Sequence, residues 1–221
     1  MKIYGIKSMT KRCYITGAGE FNASILPEQS DYVIAADNGY TALLSQGITP
    51  DMVVGDFDSL GRVPDHPNVV QSPAEKDDTD MMLAVKLGLE LDYKTFIING
   101  GLGGRLDQTL ANMQILVYIT ERNALGILIG QTTCVTAVRN EKVIFSKAAT
   151  PGNTISVFST GDRAEGVTLK GLKYPLDNAT LTNTYPIGVS NEFTGSTASI
   201  SVKNGTLIII WDGGLKDLCE I

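Results

Sequence analysis

Between residues 11 and 130, short apolar runs rich in β-branched side chains alternate with segments whose apolar positions recur at helical spacing. Strands are predicted over 12–16 (RCYIT), 32–36 (YVIAA), 51–55 (DMVVG), 95–99 (TFIIN) and 126–130 (GILIG). Helices are predicted over 39–46, 78–91 and 106–121. The second carries Met82, Val85 and Leu89 at the spacing needed for burial, and the third sets Leu106, Leu110, Met113 and Val117 along one packing face. This alternation is the βαβα rhythm of a mainly parallel sheet covered by helices.

From about residue 133 the texture changes to Thr, Ser, Asn and Gly between short strands, with no long helix. That pattern predicts a small antiparallel β unit. In ASISVK-Asn204-Gly205-TLIIIW, Asn-Gly supplies the positive φ angles of a two-residue hairpin turn, so the last two strands are expected to pair. The junction falls within 131–150, and the working division is an α/β domain over 1–135 followed by a smaller β domain over 136–221. The chain shows no internal repeat.

The 221 residues are 43% hydrophobic and 19% charged, a balance that buries a core and excludes disordered, collagenous and coiled-coil classes. A net charge of −6 removes the broad attraction on which non-specific nucleic-acid binding rests. No apolar stretch approaches the roughly 20 residues of a membrane span, and MKIYGIKSMTKR lacks the apolar block of a secretory signal. Cys13, Cys134 and Cys219 form no Cys-x-x-Cys pair, so neither a disulfide framework nor a zinc site is expected and a reducing cytoplasm is the expected home. The single histidine, His66, sits in the turn-like PDHPN, which sets aside histidine triads and multi-histidine metal sites.

Acidic residues cluster where strands should end and helices begin. Asp37 follows YVIAA, Asp56 and Asp58 follow DMVVG, Asp77, Asp78 and Asp80 open a helix, and Asp107 opens the next after GGLGGR. The carboxyl ends of the strands in an open α/β sheet line one ligand-binding edge, so these segments should converge there. Gathered carboxylates repel, which points to a hard cation, with Mg²⁺ the natural candidate. Helix capping is the competing reading for Asp77, Asp78 and Asp80. Asp56 and Asp58 stand at i, i+2, which on extended backbone directs both to one side. Asn99-Gly100-Gly101-Leu102-Gly103-Gly104-Arg105 lies between a strand and a helix, where backbone N–H groups and the helix end can receive phosphate oxygens. Gly17-Ala18-Gly19 is a weaker loop of the same kind. There is no Walker sequence, and neither loop fits the dinucleotide fingerprint.

With Ala36-Asp37-Asn38-Gly39, Gly55-Asp56-Phe57-Asp58-Ser59, Lys76-Asp77-Asp78-Thr79-Asp80, Gly101-Leu102-Gly103-Gly104-Arg105-Leu106-Asp107 and Val189-Ser190-Asn191-Glu192-Phe193 in this order, the chain resembles the thiamine pyrophosphokinase family. The resemblance implies an α/β nucleotide-binding domain followed by an antiparallel β-sandwich. It implies a homodimer with the active site between subunits, and transfer of the terminal diphosphate of ATP to thiamine with Mg²⁺, yielding AMP. It further implies that Asp56, Asp58 and Asp80 hold the metal and polyphosphate and act in catalysis with Arg105 and Asp107. Asp37, Asn38, Lys76, Asp77, Thr79, Gly103, Gly104 and Gln108 would serve the nucleotide. Ser190 and Asn191 would meet thiamine, with Trp211 either stacking on it or filling a strand core. Gln108 stands where the family usually has histidine; glutamine can donate a hydrogen bond but cannot titrate near neutrality. Alternatives from the residues alone are a pterin-directed pyrophosphokinase of the same fold, a phosphatase using Asp56-Phe57-Asp58 covalently, and a non-catalytic thiamine- or nucleotide-binding module.

Overall fold

The computed structural model describes residues 11–220 apart from 59–60, 74–76 and 148. It divides into two compact units between Gln131 and Thr132. The β-strand over Thr133–Arg139 therefore runs across the 135/136 junction.

The first unit contains strands β1 (Arg12–Thr16), β2 (Tyr32–Ala36), β3 (Met52–Gly55), β4 (Val69–Gln71), β5 (Thr95–Asn99) and β6 (Leu125–Ile129), with helices α1 (Gly39–Ser45), α2 (Asp80–Glu90) and α3 (Leu106–Thr120). The strands pair in parallel in the order β6-β5-β1-β2-β3-β4. Every position of β5 and β6 is buried, the mark of parallel strands covered on both faces. β4 escaped the sequence pattern because three residues between prolines carry no readable period.

The expected packing face of α3 is not the one that packs. Asn112, Ile115, Leu116 and Ile119 are its buried residues, whereas Leu106 is 82% and Leu110 59% exposed. The helix has apolar residues on more than one face, and periodicity alone does not say which meets the sheet. In α2 the buried set is Met81, Ala84, Val85 and Gly88, so Val85 packs as expected and its companions shift by one residue.

The second unit contains β7 (Thr133–Arg139), β8 (Lys142–Phe145), β9 (Thr154–Ser159), β10 (Ala164–Lys170), β11 (Leu176–Leu181), β12 (Asn191–Glu192), β13 (Ala198–Ser201), β14 (Thr206–Asp212) and β15 (Leu218–Glu220). They form antiparallel sheets ordered β12-β9-β14-β7 and β11-β10-β13-β8-β15. Burial alternates along β9 and β10, and Phe145 of β8 meets Trp211 of β14 edge-on at 5.3 Å between ring centroids. These inward faces make a sandwich core.

The expected hairpin does not form. β13 pairs with β10 and β8, whereas β14 pairs with β7 and β9 in the other sheet. Gly205 has φ +117, and Asn204 is bridged to Glu165, whose N–H donates to the Asn204 carbonyl at 2.7 Å. The Asn-Gly turn therefore carries the chain from one sheet to the other, which lets both strands bury an apolar face in one core.

Candidate active site

In the first unit the strand order reverses between β1 and β5, and crevices in open α/β sheets form outside the strand ends at such a reversal. The loops that follow are the two glycine-rich segments. They are laced by backbone bonds: Gly17 N–H donates to the Asn99 carbonyl at 2.8 Å, Gly19 N–H to Gly100 at 2.8 Å and Glu20 N–H to Leu102 at 3.1 Å. A Cβ on Gly100, whose φ is +69, would lie 2.5 Å from the Gly17 carbonyl oxygen. Glycine is needed here because one loop rests on the backbone of the other.

Beneath the loops lies a buried polar knot that the sequence reading missed. Asn99 Nδ2 donates to the Tyr14 hydroxyl at 2.8 Å and the Asn22 carbonyl at 2.9 Å, while Asn99 Oδ1 accepts from the Asn22 N–H at 2.8 Å. Asn22 Nδ2 reaches the Gly130 carbonyl at 2.7 Å, and the Tyr14 hydroxyl donates to Ile25 at 2.6 Å. Burial pushes the Tyr14 phenol up to about 12, against the opposing pull of its bond from Asn99. The available signal was an asparagine ending the otherwise apolar TFIIN strand.

A cleft of about 550 Å³ opens over these loops. Asp37, Asp56, Asp78 and Asp80 line it, together with Thr79, Gly103, Gly104, Arg105 and Gln108. The acids after β2 and β3 and at the start of α2 thus converge as expected. Asp58 does not line the cleft. Phe57 between the two acids has φ +63 and a buried ring, so the backbone is not extended and the i, i+2 rule fails. Instead Asp58 is exposed, and its N–H donates to Asp56 Oδ1 at 3.1 Å. Asn38, Asp77 and Asp107 are also exposed and outside the lining, and Lys76 lies outside the described residues. Among the described residues, no three His, Cys, Asp or Glu side chains form a ready-made metal cluster.

At the mouth of α2, Thr79 caps the helix by accepting the Met82 N–H at 3.1 Å. Arg105 is the N-cap of α3 and makes no side-chain cap bond; its guanidinium turns to Asp107. This pairing holds the Asp107 carboxyl below the usual carboxylate range. Asn112 Nδ2 donates to the Gly101 carbonyl at 2.7 Å and ties the glycine loop to α3.

In the second unit, Ser190 is exposed in left-handed backbone with φ +56, and its N–H donates to Ser156 Oγ at 3.0 Å. Asn191 is buried and both ends of its amide are hydrogen-bonded. Oδ1 accepts the Tyr174 N–H at 2.9 Å and the Glu192 N–H at 2.9 Å, and Nδ2 donates to the Tyr174 carbonyl at 2.6 Å. Trp211 is fully enclosed, its Nε1 directed at the Gly214 carbonyl at 3.4 Å, so in this fold it fills the strand core and presents no stacking face. An exposed aromatic bonded to Asn191 through its backbone is Tyr174, at 55% exposure. Sequence reasoning passed over it, since a lone aromatic in KGLKYPLDN has no periodic context.

Residues 24–129 match the family model described as thiamin pyrophosphokinase, catalytic domain, and residues 141–207 match thiamin pyrophosphokinase, vitamin B1 binding domain. The chain is 30% identical over 199 residues to thiamine pyrophosphokinase of Bacillus subtilis (strain 168), covering 85% of this chain and 92% of that protein. A crystal structure of thiamine pyrophosphokinase from Bacillus subtilis superposes with a TM-score of 0.81 at 28% identity, over 92% of this chain and 100% of that one. A thiamin pyrophosphokinase family protein from Enterococcus faecalis gives a TM-score of 0.77 at 28% identity, over 92% of this chain and 99% of that one. An acid-lined cleft at the sheet reversal, an antiparallel sandwich after it and these similarities along both units lead to one assignment: the chain belongs to the thiamin pyrophosphokinase family.

Proposed function

We propose that the protein transfers the terminal diphosphate of ATP to the hydroxyethyl group of thiamine, giving thiamine diphosphate and AMP. The observation that carries this reading is the cleft, where Asp37, Asp56 and Asp80 face Gly103, Gly104 and Arg105 in a chain of this family. The unit formed around 10–131 would be the ATP-binding catalytic domain and the sandwich the thiamine-binding domain.

The residues fit Mg²⁺. This ion takes oxygen ligands and is commonly held by one or two carboxylates, with substrate phosphates completing its shell, so a ready-made protein cluster is not required. Asp56 and Asp80 would hold it, with Asp58 tied to Asp56 through its backbone. When bound it neutralises phosphate charge. Arg105 and the first turn of α3, where Asp107 already accepts the Gln108 N–H, would receive phosphate oxygens, and Asn38, Lys76, Asp77, Thr79, Gly103 and Gly104 would serve the nucleotide. Gln108 would donate a hydrogen bond where no titration is needed, because phosphoryl transfer depends on positioning and charge. The thiamine oxygen attacks the β-phosphorus in line; its bond forms as the bond to the α–β bridging oxygen breaks. The electron pair leaves with AMP, and the hydroxyl proton passes to water.

On the acceptor side, the exposed Ser190 and the ring of Tyr174, whose backbone the Asn191 amide holds, would bind thiamine. Asn191 would act through Tyr174, and the burial of Trp211 leaves the stacking role to Tyr174. We read the active form as a homodimer in which one subunit's cleft meets the other's sandwich domain. Leu106 and Leu110 beside the cleft, and Tyr185, Ile187 and Val189 leading to Ser190, are exposed apolar residues that such an interface would cover. Among the described residues no helix is long and apolar enough to cross a membrane, and no acceptor but thiamine finds support in the similarities. Free Cys13, Cys134 and Cys219, with use of ATP, favour the cytoplasm.

The test is product analysis of Mg-ATP incubated with thiamine, with a hydroxymethylpterin, with no acceptor and with EDTA. Thiamine-dependent, EDTA-sensitive AMP with equal thiamine diphosphate supports the reading; AMP with the pterin alone, or none in any arm, overturns it.

A further inference from the structure

Asp78 lines the cleft, and Lys86 grips both its carboxylate oxygens, Nζ to Oδ1 at 2.8 Å and to Oδ2 at 2.6 Å. Lys86 is not among the lining residues. The pair is not the i, i+4 contact of a helix surface, because Asp78 stands eight positions earlier, ahead of the Thr79 cap. The Asp78 carboxylate thus reaches the second turn of α2, where it is held by an ammonium that does not itself line the cleft.

The arrangement has an electrostatic consequence. Asp37, Asp56, Asp78 and Asp80 share one cleft, and any carboxylate there that no cation offsets repels a polyphosphate. We propose that Lys86 is a positioning residue for the nucleotide site, orienting Asp78 and offsetting its charge so that this carboxylate does not oppose the polyphosphate. The inference rests on the proposed function and deepens it by assigning a charge-masking residue outside the cleft lining. The hydrogen bond to Asp78 keeps the Lys86 amine above its usual range, so it stays charged at neutral pH.

Steady-state kinetics of Lys86→Met, Asp78→Asn and the double variant test this, with thermal unfolding as the control for folding. Both side chains are about one-third exposed (37% and 35%), and a pair of this kind contributes little to stability, so the variants should fold. Lys86→Met should raise KM for ATP about three- to tenfold with kcat little changed, the effect of one uncovered charge near a partly solvated site. Removing that charge in Asp78→Asn/Lys86→Met should restore KM, and Lys86→Arg should keep it near wild type. The rise in Lys86→Met should shrink with added salt. An unchanged KM in Lys86→Met, or a double variant as impaired as Lys86→Met, overturns the proposal. Wild-type turnover is measured alongside; its absence would instead count against the proposed function.

Discussion

Arg105 clamps Asp107 with two parallel bonds, Nε to Oδ1 at 3.1 Å and Nη2 to Oδ2 at 2.5 Å, while Arg105 alone of the two lines the cleft. The hydrogen bond from Arg105 is the largest cause of the lowered Asp107 pKa. A depressed carboxylate favours the paired state above its free pKa, and that preference disappears as pH falls through the depressed value. Carboxyl-carbon NMR should show Asp107 titrating below the ordinary aspartate range in the wild type and returning toward it in Arg105→Gln. Saturating Mg-ATP should also raise it, because the guanidinium then serves phosphate. An Asp107 titration indifferent to both changes would contradict the exchange.

The two loops resting on one another make Gly100 a sharper test of the fold than an ordinary turn glycine. Gly100 and Gly47 have similar φ, +69 and +71, yet a Cβ on Gly47 meets nothing within 4 Å. Gly47→Ala should lose about 1–2 kcal/mol, the cost of left-handed backbone alone. Gly100→Ala must also displace the Gly17 backbone, so urea denaturation should show a larger loss, accompanied by loss of ATP binding. Equal losses in the two variants would remove the close-approach argument.

Among the acids, position in the cleft orders the expected effects. Asp56→Asn and Asp80→Asn should each lower kcat/KM by about 10²-fold or more and raise the Mg²⁺ concentration for half-maximal rate, in the range found when a charge-stabilising group is removed. Asp58→Asn should have the smallest effect of the three, since its bond to Asp56 comes from the backbone N–H, which the substitution keeps, and Asp58 does not line the cleft. Thermal unfolding should be nearly unmoved in all three. If Asp58→Asn is the most damaging, the cleft as described is not the arrangement that turns over.

How much of this could be read from the chain depends on the kind of signal. TFIIN and GILIG announce buried parallel strands because most of their positions are apolar, whereas the strand order, and with it the reversal between β1 and β5, is set by pairing that no local pattern encodes. The acid and glycine segments were legible because they punctuate those strands. Asp56 and Asp58 look like a matched pair in GDFDS because nothing in that segment reveals that Phe57 adopts a positive φ and buries its ring. Asn204-Gly205 permits both a hairpin and a crossing between sheets, and long-range pairing with β10 and β8 decides between them. The Asn99 knot and the Lys86–Asp78 pair were illegible for the same reason. Each joins residues through a fold, and no local period encodes it.

The sandwich domain yields a contrast between its two candidate aromatics. Tyr174→Ala should raise KM for thiamine about tenfold, as expected for loss of one exposed stacking ring at about 0.5–1.5 kcal/mol, with little change in melting temperature. Asn191→Ala should reproduce the effect in part by releasing the Tyr174 backbone. Trp211→Ala should instead destabilise the fold by about 3–5 kcal/mol, since the indole is fully enclosed against Phe145. A folded Trp211→Ala protein with selective loss of thiamine affinity would reverse the two roles.

The most direct measurement follows the phosphorus atoms themselves. With ATP labelled at the β-phosphate and thiamine as acceptor, the account predicts that all transferred label appears in thiamine diphosphate, with one unlabelled AMP released per molecule formed. Thiamine monophosphate accompanied by labelled ADP, or label remaining in nucleotide while thiamine is unchanged, would contradict it.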